Sequence, residues 1–202
     1  MSLSPAWRVG PSDLESVIST AKLSQRPARP ANAALETKVL LKLQHDLAKA
    51  PQKFFQELVE AALTLSQADS AGISLLNESA RYFVWPAVAG PLSPFVGDGA
   101  PADFGPCGTV LERNCALLME HPERHFDYLK RVTPPLEEVL LIPFYMGERA
   151  VGTIWAVSHT PGREFDAEDK RVLESLSTFA ASAYETLAKV GLLEPLMRPK
   201  RS

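Results

Sequence analysis

Cysteine is scarce in this chain: Cys107 and Cys115 are the only two among 202 residues. Two thiols cannot frame a disulfide-stapled fold, so a reducing cytoplasm is the expected compartment. An excess of positive charge is missing as well, since 21 Lys and Arg stand against 24 Asp and Glu for a net charge of −3. Without a clustered basic surface there is no electrostatic footprint for nucleic acid, and no nucleic-acid partner is expected. No uninterrupted apolar run approaches the ~18 residues of a membrane span, and the first residues lack the basic-then-apolar order of a secretory signal. No membrane partner is expected either. A phosphate-cradling glycine loop, a Ser-His-Asp spacing and paired catalytic carboxylates are all lacking. The acidic pairs Glu137-Glu138 and Asp166/Asp169 read as helix caps or solvated faces.

What is present, 46% hydrophobic and 22% charged residues, suffices for one core with tails. Residues 1–33 carry Pro5, Pro11, Pro27 and Pro30, several serines and almost no apolar periodicity, and are expected to be a flexible arm. A domain over 34–190 follows, then a short basic tail over 191–202. Leu35, Val39, Leu43 and Leu47 recur every four residues, and a second apolar stripe of Phe54, Phe55, Leu58, Val59, Ala62 and Leu63 follows Pro51. These predict two amphipathic helices meeting near Ala50. The β-rich runs 71–76 and 81–85 flank Asn77-Glu78-Ser79, the signature of a hairpin. Eight Gly and Pro residues between Gly90 and Pro106 then forbid any long regular element. Residues 107–113 predict a short helix and 115–119 a short strand. The runs 139–145 and 151–157 predict a second hairpin, with Pro143 marking a bulge or an unpaired side. A long helix closes the domain, capped by Asp166 and striped by Val172, Leu176, Phe179, Ala180, Ala183, Tyr184, Leu187 and Val190.

This order predicts an α+β domain: a central antiparallel sheet with helices on one face and a loop-covered pocket on the other. Gly105-Pro106-Cys107-Gly108-Thr109, the later frame Pro143, Gly147, Gly152 and Trp155, and the helix entry Phe165-Asp166-Ala167-Glu168-Asp169 together resemble a GAF domain over about residues 35–187. The resemblance implies a sensory or regulatory module, related in fold to PAS domains. Fold alone does not deliver a ligand, so the site needs its own argument.

Several constellations compete for it. One enzymatic branch of the GAF family reduces free methionine sulfoxide, and Cys107-Gly108-Thr109 resembles part of its pattern. The attacking cysteine expected about two dozen residues later is absent, because that neighbourhood reads Leu129-Lys130-Arg131-Val132. A bilin, which photoreceptor relatives attach through a cysteine commonly followed by histidine, is disfavoured because Gly108 follows Cys107 and Ala116 follows Cys115. Cyclic GMP is disfavoured because Lys170 replaces a glutamate of the resembling motif around Phe165 and Asp169. His121 and His125 stand four apart around Glu123, a spacing that suits a metal on one helical face, but no third ligand is evident. A haem held through this loop stays open. Finally, the crossover between the hairpins is rich in aromatic residues. The expected ligand pocket is therefore bounded by Trp85, Phe104, Cys107, Phe126 and Tyr128, with His121 and His125 beside it.

The function expected is a non-enzymatic sensory domain in signal transduction, as in two-component systems. It would bind an unidentified small ligand and signal through its terminal helices to a downstream partner. The alternatives are an interaction domain with an empty pocket and, further off, the reductase. A homodimer is expected because the helix from Asp166 to Val190 is longer than a small sheet is wide, leaving Tyr184, Leu187 and Val190 to pair with the Leu35–Leu47 helix across a two-fold axis. The competing expectation is that Leu192, Leu193 and Leu196 fold back over that stripe.

Overall fold

Strands β1 (Ser70–Asn77), β2 (Tyr82–Ala89), β3 (Gly99–Pro101), β4 (Leu117–Glu120), β5 (Glu138–Met146) and β6 (Arg149–Ser158) form one sheet in the order β3-β2-β1-β6-β5-β4. Every neighbouring pair is antiparallel. The computed structural model describes residues 13–199. Side chains alternate between the faces with the two-residue period of a strand. Ile73 and Leu75 of β1, Leu140, Ile142 and Phe144 of β5, and Ile154 and Ala156 of β6 build one core. Val139 and Leu141 of β5, with Trp155 and Val157 of β6, build a second core on the opposite face.

The first core is covered by helices. α1 (Lys22–Gln25) contributes Leu23, and α2 (Ala33–Lys49) starts at Asn32, whose side chain accepts from the Leu35 amide at 3.1 Å. α3 (Phe54–Ser66) follows a 3-10 turn opened by Pro51. The second core is covered by the crossover: a 3-10 turn over Gly90–Phe95, the short helix α4 (Pro106–Arg113) and two more 3-10 turns over Pro122–Arg124 and Asp127–Arg131. α5 (Ala167–Lys189) returns to the helical face. Asp166 accepts from the amides of Glu168 (2.8 Å) and Asp169 (3.0 Å), while Asp169 accepts from the Asp166 amide at 3.1 Å, a reciprocal capping box.

Two prolines sit where the ladder tolerates them. The β1–β2 register slips by one residue between Ile73↔Ala87 and Leu75↔Val84, so Trp85 and Pro86 together oppose Ser74. The missing Pro86 amide falls in this bulge. Pro143 lies beyond the end of the β4 pairing at Leu117↔Leu141, and a second register shift follows at Phe144/Tyr145.

Two boundaries read from the sequence are corrected. Residues 13–33 are not a flexible arm; residues 1–12 of that expectation lie outside the described residues. The Ser19 amide donates to the Leu118 carbonyl and the Glu120 amide to the Val17 carbonyl, both at 2.8 Å, with Ile18 bridging Met119. Val17 and Leu23 are buried. Arg26 bonds the buried Glu138 carboxylate at 2.6 Å and the Phe165 carbonyl at 2.7 Å. The physical reason is demand from elsewhere: β4 is an edge strand with backbone groups to satisfy, and a buried carboxylate needs a cation. Neither demand leaves a periodic signature in the segment that meets it.

The tail, described through Pro199, is also folded. Gly191, at a φ of +72°, reverses the chain as left-handed residues do after helices, and the Leu192 amide donates to the Leu187 carbonyl at 2.9 Å. The short helix α6 (Leu193–Leu196) then buries Leu193 and packs Leu196 and Met197 against the core that holds Tyr184 and Leu187. The apolar surplus of α5, on which the two-fold pairing was expected, is thus covered from within the chain; Val190 alone of that trio stays exposed. Among the described residues no helix is long and apolar enough to cross a membrane.

Candidate functional site

On the crossover face of the sheet a cavity of about 70 Å³ lies between the strands and their roof. Its floor is Val139, Leu141, Trp155 and Val157. Leu92, Phe95, Ala100, Pro106, Cys107, Tyr128, Leu129, Val132 and Leu136 form the walls and roof, and Trp85 closes one side. Among the described residues no charged side chain and no histidine contributes to it.

The floor is positioned by strand alternation. Gly72 of β1 pairs with Trp155 of β6, and a Cβ at residue 72 would lie 2.2 Å from the indole Cζ2. The ring therefore lies across the glycine, and its Nε1 donates to Ser74 Oγ, two residues along the same strand face, at 3.0 Å. Cys107, in the first turn of α4, is 3.3 Å from Ser74 Oγ and accepts from Thr153 Oγ1 at 3.4 Å. Trp155, Ser74, Cys107 and Thr153 form one buried polar chain beside the apolar space. Trp85 is aimed into it by the bulge and meets Trp155 edge-on, with ring centroids 6.2 Å apart.

These surroundings set the ionisation of the site. The start of a helix favours a thiolate, but burial outweighs it and pushes the Cys107 thiol up, against hydrogen bonds from Ser74 and Thr153 that act the other way. Burial also pushes the Tyr128 hydroxyl up. Both groups are neutral at physiological pH, so the cavity is uncharged and Cys107 is no activated nucleophile. Cys115 is exposed and belongs to a separate surface cleft with Asn114, Tyr145, Lys170 and Glu174. Ellman's reagent should accordingly titrate one thiol per native chain at pH 8 and two in guanidinium. Rapid labelling of both in the native protein would contradict the burial of Cys107.

Of the seven residues expected at the site, Trp85, Cys107 and Tyr128 line the cavity. The other four do not, and that expectation is corrected. Phe126 is buried behind the wall in the second core. Phe104 is 44% exposed and packs on the outside, 5.3 Å from Phe126 and 6.3 Å from Tyr128 between ring centroids. His125 stacks on the edge of Phe126 at 4.6 Å. His121, at a φ of +46°, stands between Glu123 (3.6 Å) and Glu137 (3.7 Å). The cause is the pair of 3-10 turns, whose roughly three-residue period turns Tyr128, Leu129 and Val132 inward and leaves the histidines outside. Among the described residues no group of three or more His, Cys, Asp or Glu gathers as a metal site. Among the described residues the wall carries no histidine, and its one thiol, Cys107, is buried.

Trp155, Ser74, Thr153 and Gly72 were missed as site residues. A signal for them exists: Gly72/Ser74 and Thr153/Trp155 are spaced by two and alternate with the apolar Ala71, Ile73, Leu75, Ile154 and Ala156. A small or polar residue on a central strand buried on both faces marks a place where something else must approach.

The arrangement has known counterparts. No curated protein matches the chain at a significant level. Among solved structures, the GAF domain of a phosphoenolpyruvate-protein phosphotransferase from Acinetobacter is similar with a TM-score of 0.66 and 18% identity, covering 79% of this chain and 98% of that one. A free methionine-R-sulfoxide reductase from Neisseria meningitidis, solved with its substrate, has a TM-score of 0.65 at 17% identity, covering 82% and 97%. The second GAF domain of DevS from Mycobacterium smegmatis has a TM-score of 0.53 at 21% identity, covering 72% and 99%. At these identities the likeness is one of fold, shared by GAF domains of other proteins and by an enzyme. The GAF domain family model matches residues 48–185, more than half of the sequence, and includes the sheet, the crossover with its cavity and nearly all of α5. The chain belongs to the GAF domain family.

Proposed function

We propose that this chain is a non-enzymatic sensory or regulatory module in signal transduction that holds a small molecule in the cavity between Trp85 and Trp155 and transmits its presence to the terminal helices. The observation that carries this reading is the uncharged cavity resting on the sheet, with β6 shared between it and the helical core. Trp155 and Val157 touch the space, while Ile154 and Ala156, between and beside them on β6, pack in the core that contains α3 and α5. A guest that displaces Trp155 shifts a strand on which α5 rests. Contacts within a packed core transmit such shifts because its density leaves little room for absorbing them.

The reductase reading finds less support. A thiol reductase needs an accessible thiolate and a partner that resolves the intermediate. Cys107 is buried and protonated, and Cys115 opens on a different cleft. The test is extraction of the purified chain by denaturation, with mass spectrometry of what is released. A defined small molecule at near-stoichiometric yield, lost when Ala100→Phe fills the cavity, is the expected result. Thiol-dependent reduction of free methionine-R-sulfoxide by the wild-type chain would overturn the proposal. Full retention of the released molecule in the filled variant would place binding elsewhere.

A further inference from the structure

Four of the side chains that line the cavity carry a polar atom, those of Trp85, Cys107, Tyr128 and Trp155, and each of these atoms is turned elsewhere. Trp155 Nε1 donates to Ser74 Oγ at 3.0 Å. Cys107 Sγ meets Ser74 Oγ at 3.3 Å and accepts from Thr153 Oγ1 at 3.4 Å. The Tyr128 hydroxyl lies against Gly105, where a Cβ would come within 2.6 Å of it, and Gly105 is not part of the wall. Trp85 Nε1 is buried and opens no surface onto the space. Among the described residues the wall therefore presents no nitrogen or oxygen to the interior.

Room is not what this space lacks. At about 70 Å³ it exceeds several-fold the ~10–15 Å³ that a water molecule needs, but a water also needs about two to four polar partners, and the wall offers none. A polar guest meets the same obstacle: it would leave its hydrogen bonds to water and find no replacement, and an ionised guest would lose more. A guest without polar atoms forfeits nothing of the kind, and it gains contact with Val139, Leu141, Val157 and two indole rings. We infer that the cavity takes a small molecule that is apolar throughout, a short hydrocarbon or a gas, of about five non-hydrogen atoms or fewer. This rests on the reading of the cavity as a ligand site and names the chemical class of its guest. Trp85, Phe95 and Val132 are only partly buried, so the wall reaches solvent on their side and a guest has a way in.

The test follows the methyl signals of the wall leucines and valines while the full chain is exposed to xenon, to cyclopentane, and to tetrahydrofuran, a ring of the same size with one ether oxygen. Xenon and cyclopentane are each expected to shift the wall methyls saturably, and more than the methyls of the helical core. Tetrahydrofuran should bind about tenfold or more weakly than cyclopentane, the factor that a buried oxygen without a donor forfeits. In Ala100→Phe, which fills the space, the shifts should disappear, with signal dispersion confirming the fold; Ala100→Leu serves if the phenylalanine variant is unfolded. Saturable shifts that survive in a folded, filled variant would place the guest elsewhere and overturn the inference. Tetrahydrofuran binding as tightly as cyclopentane would mean that the wall offers a polar partner, overturning the apolar class while leaving the cavity as a ligand site. Release of a polar or charged molecule in the extraction experiment, lost in the filled variant, would do the same. No shift of the wall methyls with xenon or cyclopentane, each at its solubility limit, would overturn this inference for guests of this size, and a released molecule in the extraction experiment would then show the broader ligand reading to stand without it.

Discussion

Gly72→Val is expected to lower the melting temperature by about 10 °C or more and to abolish the near-ultraviolet signature of the paired tryptophans. A Cβ at residue 72 would lie 2.2, 2.4 and 2.7 Å from three atoms of the Trp155 ring, far inside van der Waals contact. The clash falls on the body of the ring, not on a flexible end. The ring is tied through its Nε1 to Ser74 and is buried in the second core. Overpacking a core costs about 1–3 kcal/mol and occasionally more, and the Trp155–Ser74 hydrogen bond adds about 1. At about 2–4 °C per kcal/mol for a domain of this size, the shift follows. A double-mutant cycle isolates the cause. In a Trp155→Leu background the same Gly72→Val change should be nearly neutral or stabilising, because valine suits a strand better than glycine once the ring is gone. If the penalty persists there in full, the indole is not what the glycine accommodates.

The other large effect lies at the junction of the N-terminal segment with the helices. Asp169 is fully buried, bonded to Arg29 Nε at 2.9 Å and Arg163 Nη2 at 3.1 Å, and it closes the capping box of α5. The same two arginines donate to the last carbonyls of α3: Arg29 to Leu65 and Arg163 to Ser66, both at 2.6 Å. One carboxylate thus holds together the start of α5, the end of α3 and the segment that leads into α2. Asp169→Ala removes the anion and leaves two partly buried guanidinium groups without the carboxylate that bonds them. Breaking such an arrangement from one side costs about 3–5 kcal/mol when deeply buried. The arginine side chains are 20% and 24% exposed, which places the expected loss near the lower end, about 3 kcal/mol including the cap. Asp169→Asn, which keeps an acceptor for the Asp166 amide, should lose about half as much. Hydrogen exchange provides the specific reading. Amides between Ser19 and Arg29 should lose protection in Asp169→Ala more than those of β1 and β6. Uniform loss across the sheet would mean that the aspartate stabilises the domain as a whole rather than anchoring that segment.

The segment from Asp13 to Asn32 touches both faces of the sheet: Leu14 and Ile18 pack against the core that holds the cavity, and Leu23 lies in the helical core. Glu15 pairs with Arg113 at the end of α4, the helix that carries Cys107. The cavity is thus joined to the helices by two sets of contacts, one through β6 and one around the edge of the sheet. The family match begins at residue 48, so the segment from Asp13 to Asn32 lies outside the matched residues.

The elements were legible in the sequence where a local period or a local cap writes them. The stripe of Leu35, Val39, Leu43 and Leu47, the apolar runs of both hairpins and the Asp166/Asp169 pair each report a structure that forms among neighbours in the chain. The density of Gly and Pro between Gly90 and Pro106 likewise announced a crossover of loops, and with it the face on which a cavity belongs. Which aromatic rings enter the cavity was not legible, because it depends on where the turns of residues 121–131 begin. Tyr128, within the 3-10 turn over Asp127–Arg131, lines the cavity, while Phe126, just before that turn, is buried behind the wall. The docking of residues 13–33 and of α6 was hidden for a different reason. Those segments satisfy an edge strand, a buried Glu138 and the exposed end of α5, all of which are needs of distant residues that exist only once the sheet has formed. The same holds for Gly72: its sequence neighbours give no sign of an indole from β6, 83 residues further on, and only the register Gly72↔Trp155 brings the two together.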